Sequence, residues 1–191
     1  MKTTLLAATI ATLMATTAYS APEKYNLDAS HSQIVFSYNH LGYSTTWGMF
    51  SGFEGDITFD ADAPAASNVS VSMPLQSMFT GWEKRLGHFM SPDFFNATDD
   101  SMVSFTSTSI EVTGDTTAMI TGDLNINGVS KSVVLDAVLN KSADHPMSGK
   151  AWLGFDAKTT VLRSDFGVGK FAPHISDEVD VMISIEAAKA E

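Results

Sequence analysis

Residues 120–139 read ITGDLNINGVSKSVVLDAVL. Ile120, Leu124 and Ile126 share one face ahead of Asn127-Gly128, and Val133, Leu135, Ala137 and Leu139 alternate after it. Asn-Gly between two runs of period two marks a type I′ hairpin, because both central residues of that turn take positive φ. The same alternation runs outward in both directions. Upstream, Ile34, Phe36 and Tyr38 alternate with Ser37 and Asn39, and Val69, Val71 and Met73 with Ser70 and Ser72. Val103 and Phe105 alternate with Ser104 and Thr106, and Ile110 and Val112 lead to a Gly114-Asp115 turn. Residues 47–59 form a long aromatic-rich run with Gly48, Gly52 and Gly55, glycines that suggest bulges or sharp coiling in a strand. Downstream, Leu153, Phe155 and Ala157 alternate with Trp152 and Asp156, and Val179, Val181, Ile183 and Ile185 close the chain. The pattern gives about eight or nine strands, with residues 60–67 and 140–150 as loops.

Residues 75–95 break the rhythm. Trp82, Leu86 and Phe89 lie at i, i+4 and i+7, one face of a helix. Ser91-Pro92 then suits the N-cap and first position of a second helical turn. A single antiparallel sheet of this length must cover its edges and its apolar face, and closure into an up-and-down barrel does both. The expected class is all-β: an extended antiparallel barrel of eight strands, or nine, with a short helical insertion. At about eight strands the interior either holds one small ligand or is filled by side chains. The 12 Phe and 10 Met suit either outcome.

The chain has 191 residues, a length that favours one domain, and 44% of them are hydrophobic, enough for a core. Zero Cys excludes disulfide scaffolds, thiolate metal sites and thiol nucleophiles. A formal charge of −11 repels phosphate backbones and argues against nucleic-acid binding. Lys2, the apolar residues 5–14 and Ala18-Tyr19-Ser20 read as a Sec-type signal peptide over residues 1–20, cleaved after Ser20. Residues 21–191 then form the domain. No Cys follows for a lipid anchor, and no later stretch reaches the ~18 apolar residues of a membrane span, so a permanent membrane anchor is not expected.

No nucleophile elbow, phosphate loop, zincin or dinucleotide motif is present. The five histidines, His31, His40, His88, His145 and His174, have no local metal spacing. Arg85 and His88 stand at i, i+3 among the apolar anchors of the insertion. They either hold a polar or anionic head group or pair with nearby acids such as Glu83 and Asp93. Arg163, before Asp165-Phe166-Gly167, reads as a structural ion pair at a strand end. His40 shares the face of Phe36 and Tyr38 and is either a packed histidine or a contact inside the barrel.

Taken in order, these segments resemble the YceI-like family of lipocalin-like periplasmic proteins that bind polyisoprenoid lipids. The resemblance starts at Tyr25-Asn-Leu-Asp28 and runs through His31-Ser32-Gln-Ile34-Val-Phe36 to His40-Leu41-Gly42. It continues through Gly48-Met-Phe50 and Phe53-Glu-Gly55-Asp-Ile57-Thr-Phe59-Asp60. The insertion carries Thr80-Gly81, Glu83-Lys84-Arg85, His88 and Ser91-Pro92-Asp93-Phe94-Phe95. The hairpin carries Gly122-Asp-Leu124-Asn-Ile126-Asn-Gly128-Val129-Ser130-Lys131. Arg163-Ser-Asp165-Phe166-Gly167 and Ser176-Asp-Glu-Val179 complete it. Leu86, Phe89 and Ser132 stand where the family more often has an acid, a leucine and a proline.

The resemblance implies an elongated apolar tunnel for an isoprenoid tail or a similar long-chain or quinone-like amphiphile, with no catalysis, no metal and no other cofactor. On that reading Arg85, His88 and His40 are candidate head-group contacts. The candidate tunnel residues are Phe36, Tyr38, Phe50, Phe53, Trp82, Phe89, Phe94, Phe105, Leu124, Phe155 and Phe166. The expected partner is a long-chain isoprenoid or fatty amphiphile in the periplasm, and the oligomeric state is left open, a homodimer included. Two other readings remain: an enzyme acting on an isoprenoid or quinone inside the barrel, and a ligand-free acidic interaction module of stress tolerance.

Overall fold

The computed structural model describes residues 21–191, so the expected signal peptide lies outside the described residues. Ten strands form one antiparallel sheet: β1 (Glu23–Leu27), β2 (Gln33–His40), β3 (Ser44–Phe50), β4 (Glu54–Phe59), β5 (Asn68–Pro74), β6 (Met102–Val112), β7 (Thr117–Ile126), β8 (Val129–Asp144), β9 (Ala151–Leu162) and β10 (Glu178–Lys189). The order β1-β4-β5-β6-β7-β8-β9-β10 closes on itself, because β10 also pairs with β1. The result is the eight-stranded barrel that the alternation demands, with β2 and β3 as two extra strands.

The extra strands come from a divided seam. β10 pairs with β2 through Asp180–Ser184 and with β1 through Ala187–Lys189. β1 and β2 therefore lie end to end along one edge of β10, separated by Asp28–Ser32. β1 turns aside to β4, whereas β2 carries β3 outward. The far edge of β3 is met by the chain that precedes the helix, where Met49 and Phe79 exchange backbone hydrogen bonds.

The hairpin forms as expected. Asn127 and Gly128 take φ of 56° and 74°, and Ile126 pairs with Val129. The run 47–59 is not one strand but two, divided at Ser51–Phe53 by Gly52 with φ of 70°. Val103, Phe105, Ile110 and Val112 belong to one strand, β6. A bulge between Ser107 and Ser109 explains how odd-numbered and later even-numbered residues both face inward, since one extra residue reverses the alternation. The supposed loop 140–150 is strand as far as Asp144, with a bulge between Leu139 and Lys141. Its Lys, Ser, Ala and Asp side chains lie on an exposed stretch and hide the period-two signal.

The insertion holds one helix, α1 (Glu83–Met90), after a short 3-10 turn (Leu75–Ser77). Leu86 and Phe89 pack onto the core, but Trp82 is the N-cap residue and 58% exposed. The apolar face therefore begins at Leu86. The second helical turn is absent: Ser91 ends α1, and its carbonyl accepts from the amides of Phe94 and Asn96 in a turn.

Candidate functional site

The barrel is hollow. A cavity of about 270 Å³ runs through it, walled by inward residues of the ring such as Val71, Phe105, Leu135, Phe155 and Ile183. Ser67, Asn68, Asp115 and Thr117 stand at the end formed by the β6–β7 turn. At the opposite end lies a second cavity of about 140 Å³, covered by α1 and by the segment after β9. Phe36, Phe50, Val103, Ile126 and Val161 line both. The Phe36 and Phe50 rings, 5.6 Å apart, thus stand between two adjoining chambers.

Two glycines shape the walls. A Cβ on Gly48 would lie 2.2 Å from Cζ of Phe36, and one on Gly122 would lie 2.4 Å from Cζ of Phe105. Each ring lies across a neighbouring strand where no side chain stands. This lets both rings lie close against a neighbouring strand.

Among the residues expected to line a tunnel, Phe36, Phe50, Phe53, Phe105, Leu124 and Phe155 face the larger chamber. Tyr38, Phe89, Phe94 and Phe166 face the smaller one, which Phe36 and Phe50 share. Trp82 lines neither and is on the surface. The three expected head-group contacts are not brought together on a cavity wall. His40 forms an isolated bridge with Ile175. Arg85 turns back to donate to the Thr80 carbonyl at 2.8 Å rather than pairing with an acid. His88 is exposed, 3.2 Å from Asp93, with its ring against Phe94 and Phe171. Lys170 also binds Asp93, and the hydrogen bonds from Lys170 and His88 hold the Asp93 carboxyl below its ordinary pKa.

Arg163 is a wall residue that sequence reasoning took for an ion pair. It lines the smaller chamber, and its hydrogen bonds all go to backbone carbonyls: those of Ser176, Val168, Lys170 and Ile175. Burial lowers its pKa from the ordinary guanidinium value, opposed by Asp177 and Tyr38. Asp177 itself is engaged by the amide and hydroxyl of Ser164. The carbonyls fall to Arg163 because the chain after β9 makes an irregular return before β10, which no local motif announces. Ile110, Val112 and Met78 also line the chambers. The alternation around Ile110 was visible in the sequence, but the bulge that aims it was not.

One set of possible metal donors occurs among the described residues. Asp28, His31 and Glu186 place ligand atoms within 4.8 Å of one another at the break between β1 and β2. Each is already engaged: His31 Nδ1 is 2.7 Å from Asp28, and the Trp152 indole donates to Glu186 at 2.8 Å. The hydrogen bond to Asp28 raises the His31 pKa, and the same contact with Ser30 lowers that of Asp28. Asp28 and His31 pair within the link between β1 and β2, while Glu186 pairs across to β9.

Comparison with known proteins matches this architecture. The chain is 40% identical to Protein YceI of Shigella flexneri over 191 residues, covering 99% of both. The crystal structure of a Campylobacter jejuni YCEI protein superposes with a TM-score of 0.71 at 30% identity, over 80% of this chain and 90% of that one. A polyisoprenoid binding domain from Saccharophagus degradans, implicated in plant cell wall breakdown, shares the fold with a TM-score of 0.67 at 16% identity, over 87% of this chain and 98% of that one. The YceI-like domain pattern itself matches residues 25–187, and with it the chain belongs to the YceI-like family.

Proposed function

We propose that this chain is a non-catalytic periplasmic protein that carries or sequesters a polyisoprenoid, or a similar long-chain amphiphilic lipid, in its barrel. The observation that carries the reading is the size and apolarity of the larger chamber. Left empty, a cavity of about 270 Å³ costs roughly 6 kcal/mol of lost packing on the scale of core-truncation series. That is a large share of the ~5–15 kcal/mol that holds a domain folded. A hydrocarbon guest offsets it and adds about 0.8 kcal/mol for each CH₂ removed from water. Aromatic walls at Phe53, Phe105 and Phe155 suit a tail with methyl branches and double bonds. The structural neighbour described as a polyisoprenoid binding domain and the family assignment support the same ligand class. His40 and His88, the pair an enzyme reading would use, line neither chamber.

Native mass spectrometry with lipid extraction, on protein purified from its natural compartment, tests this. The expected result is a co-purifying long-chain lipid at one per chain. Protein that emerges empty, and stays empty when offered isoprenoids, overturns it.

A further inference from the structure

The larger chamber explains a tail but supplies few polar groups except at the β6–β7 end. The smaller chamber is different. Its walls are mostly apolar, with Met78, Phe89, Phe94 and Phe95 among them, yet it includes one guanidinium and one phenol. Arg163 has five N–H groups. Four hydrogen bonds to the carbonyls of Ser176, Val168, Lys170 and Ile175 hold its plane, which leaves one N–H on Nη2. No carboxylate forms an ion pair with it among the described residues. The Tyr38 hydroxyl has no hydrogen-bond partner from the protein among the described residues, and Tyr38 lines the same chamber as Arg163. About 140 Å³ is well above the ~10–15 Å³ that one water needs.

We propose that this smaller chamber holds the head of the guest, and that Arg163 and Tyr38 together bind a single neutral acceptor oxygen there, a ketone or quinone carbonyl, in preference to a diphosphate. The proposal rests on the lipid-binding reading and orients it, with the head beneath α1 and the tail in the larger chamber. A carbonyl oxygen has two lone pairs and accepts one hydrogen bond from each of the two groups. A diphosphate would bring several charges into an apolar space against one cation whose fork is already occupied. Recognition of phosphate by arginine uses two parallel donors, and only one remains. Multiple buried charges without partners are far costlier than one satisfied carbonyl. The rigid seating of Arg163 means that little order has to be imposed on binding.

The test uses the delipidated mature chain and three probes with a common tail: geranylgeranylacetone, geranylgeranyl diphosphate and the matching oxygen-free hydrocarbon, each titrated by calorimetry. The expected result is that the ketone binds about tenfold tighter than the hydrocarbon, the worth of one or two good hydrogen bonds. The diphosphate should bind no tighter than the hydrocarbon. Tyr38→Phe keeps the ring and should remove most of the ketone's advantage while leaving hydrocarbon affinity unchanged. Tightest binding of the diphosphate overturns the proposal, as does a ketone-to-hydrocarbon ratio that survives Tyr38→Phe. A ratio lost instead in Asn68→Ala/Thr117→Val, at the other end, places the head there and also overturns it. Failure of all three tails to bind sinks the lipid reading itself, an outcome distinct from equal binding of all three.

Discussion

Single residues decide the bore. Gly48 and Gly122 are the two positions where a missing side chain is filled by a phenyl ring. Gly48→Ala must displace Phe36, which stands between the chambers, and overpacking of this kind costs about 1–3 kcal/mol. Urea denaturation should show that loss, and the range of tail lengths retained should change with it. His31 and Asp28 set a pH dependence at the seam. The His31 pKa is raised by Asp28, so its contribution is complete below the unfolded histidine value and fades as pH rises through the folded one. The Asp28 pKa is lowered by His31 and Ser30, so its contribution is complete above the unfolded aspartate value and fades as pH falls through the folded one. The two overlap between roughly pH 4 and 6.5. The Tm difference between wild type and His31→Asn should therefore be greatest near pH 5–6 and shrink in alkaline buffer. A difference as large in alkaline buffer as at pH 5–6 would remove the His31–Asp28 contact from the account.

At the scale of elements, bulges and seams matter more than strand propensity. Deleting Thr108 removes the extra residue of the β6 bulge, places Ile110 an even number of positions from Phe105, and should leave Ile110 opposite Ile120 with its inward face kept. The expected outcome is that guest binding is retained; a deletion variant that no longer binds would show that Ile110 and Val112 have left the wall and that this register account is wrong. This is also where legibility ended. Alternation around Phe36, Val71, Phe105 and Leu124 was plain, because each strand buries one face and exposes the other. The Asn127-Gly128 turn was plain because its positive φ restricts the residues that fit. The splitting of residues 47–59 at Gly52 and the extension of β8 to Asp144 were not, since both depend on which neighbour the strand meets. Arg163 was misread for a similar reason: its partners are carbonyls, and carbonyls carry no residue signature. Arg85 and His88 looked like a pair by helical spacing, but the Thr80 carbonyl and Asp93 lie in opposite directions along the chain and draw them apart.

For the whole molecule, the hollow barrel sets the response to a guest. A barrel that leaves its middle unpacked should be stabilised by its guest through mass action, by about 2.7 kcal/mol at a hundredfold excess over Kd. Differential scanning calorimetry of lipid-loaded and delipidated protein measures this, and coincident transitions would show that the guest does not bind the folded chain in preference to the unfolded one. Export is testable separately. Osmotic-shock fractionation with N-terminal sequencing should recover a chain that begins at Ala21; retention in the cytoplasm with Met1 intact would move the protein to another compartment.

The Phe36–Phe50 pair has a wider meaning. What divides the interior is a partition made of two side-chain rings, not of backbone, so the usable length of the hold is set by side chains. Trimming either ring would join the rooms without altering a single rung of the ladder. Descendants of such a chain can thus change the size of their cargo by one substitution and keep the vessel intact.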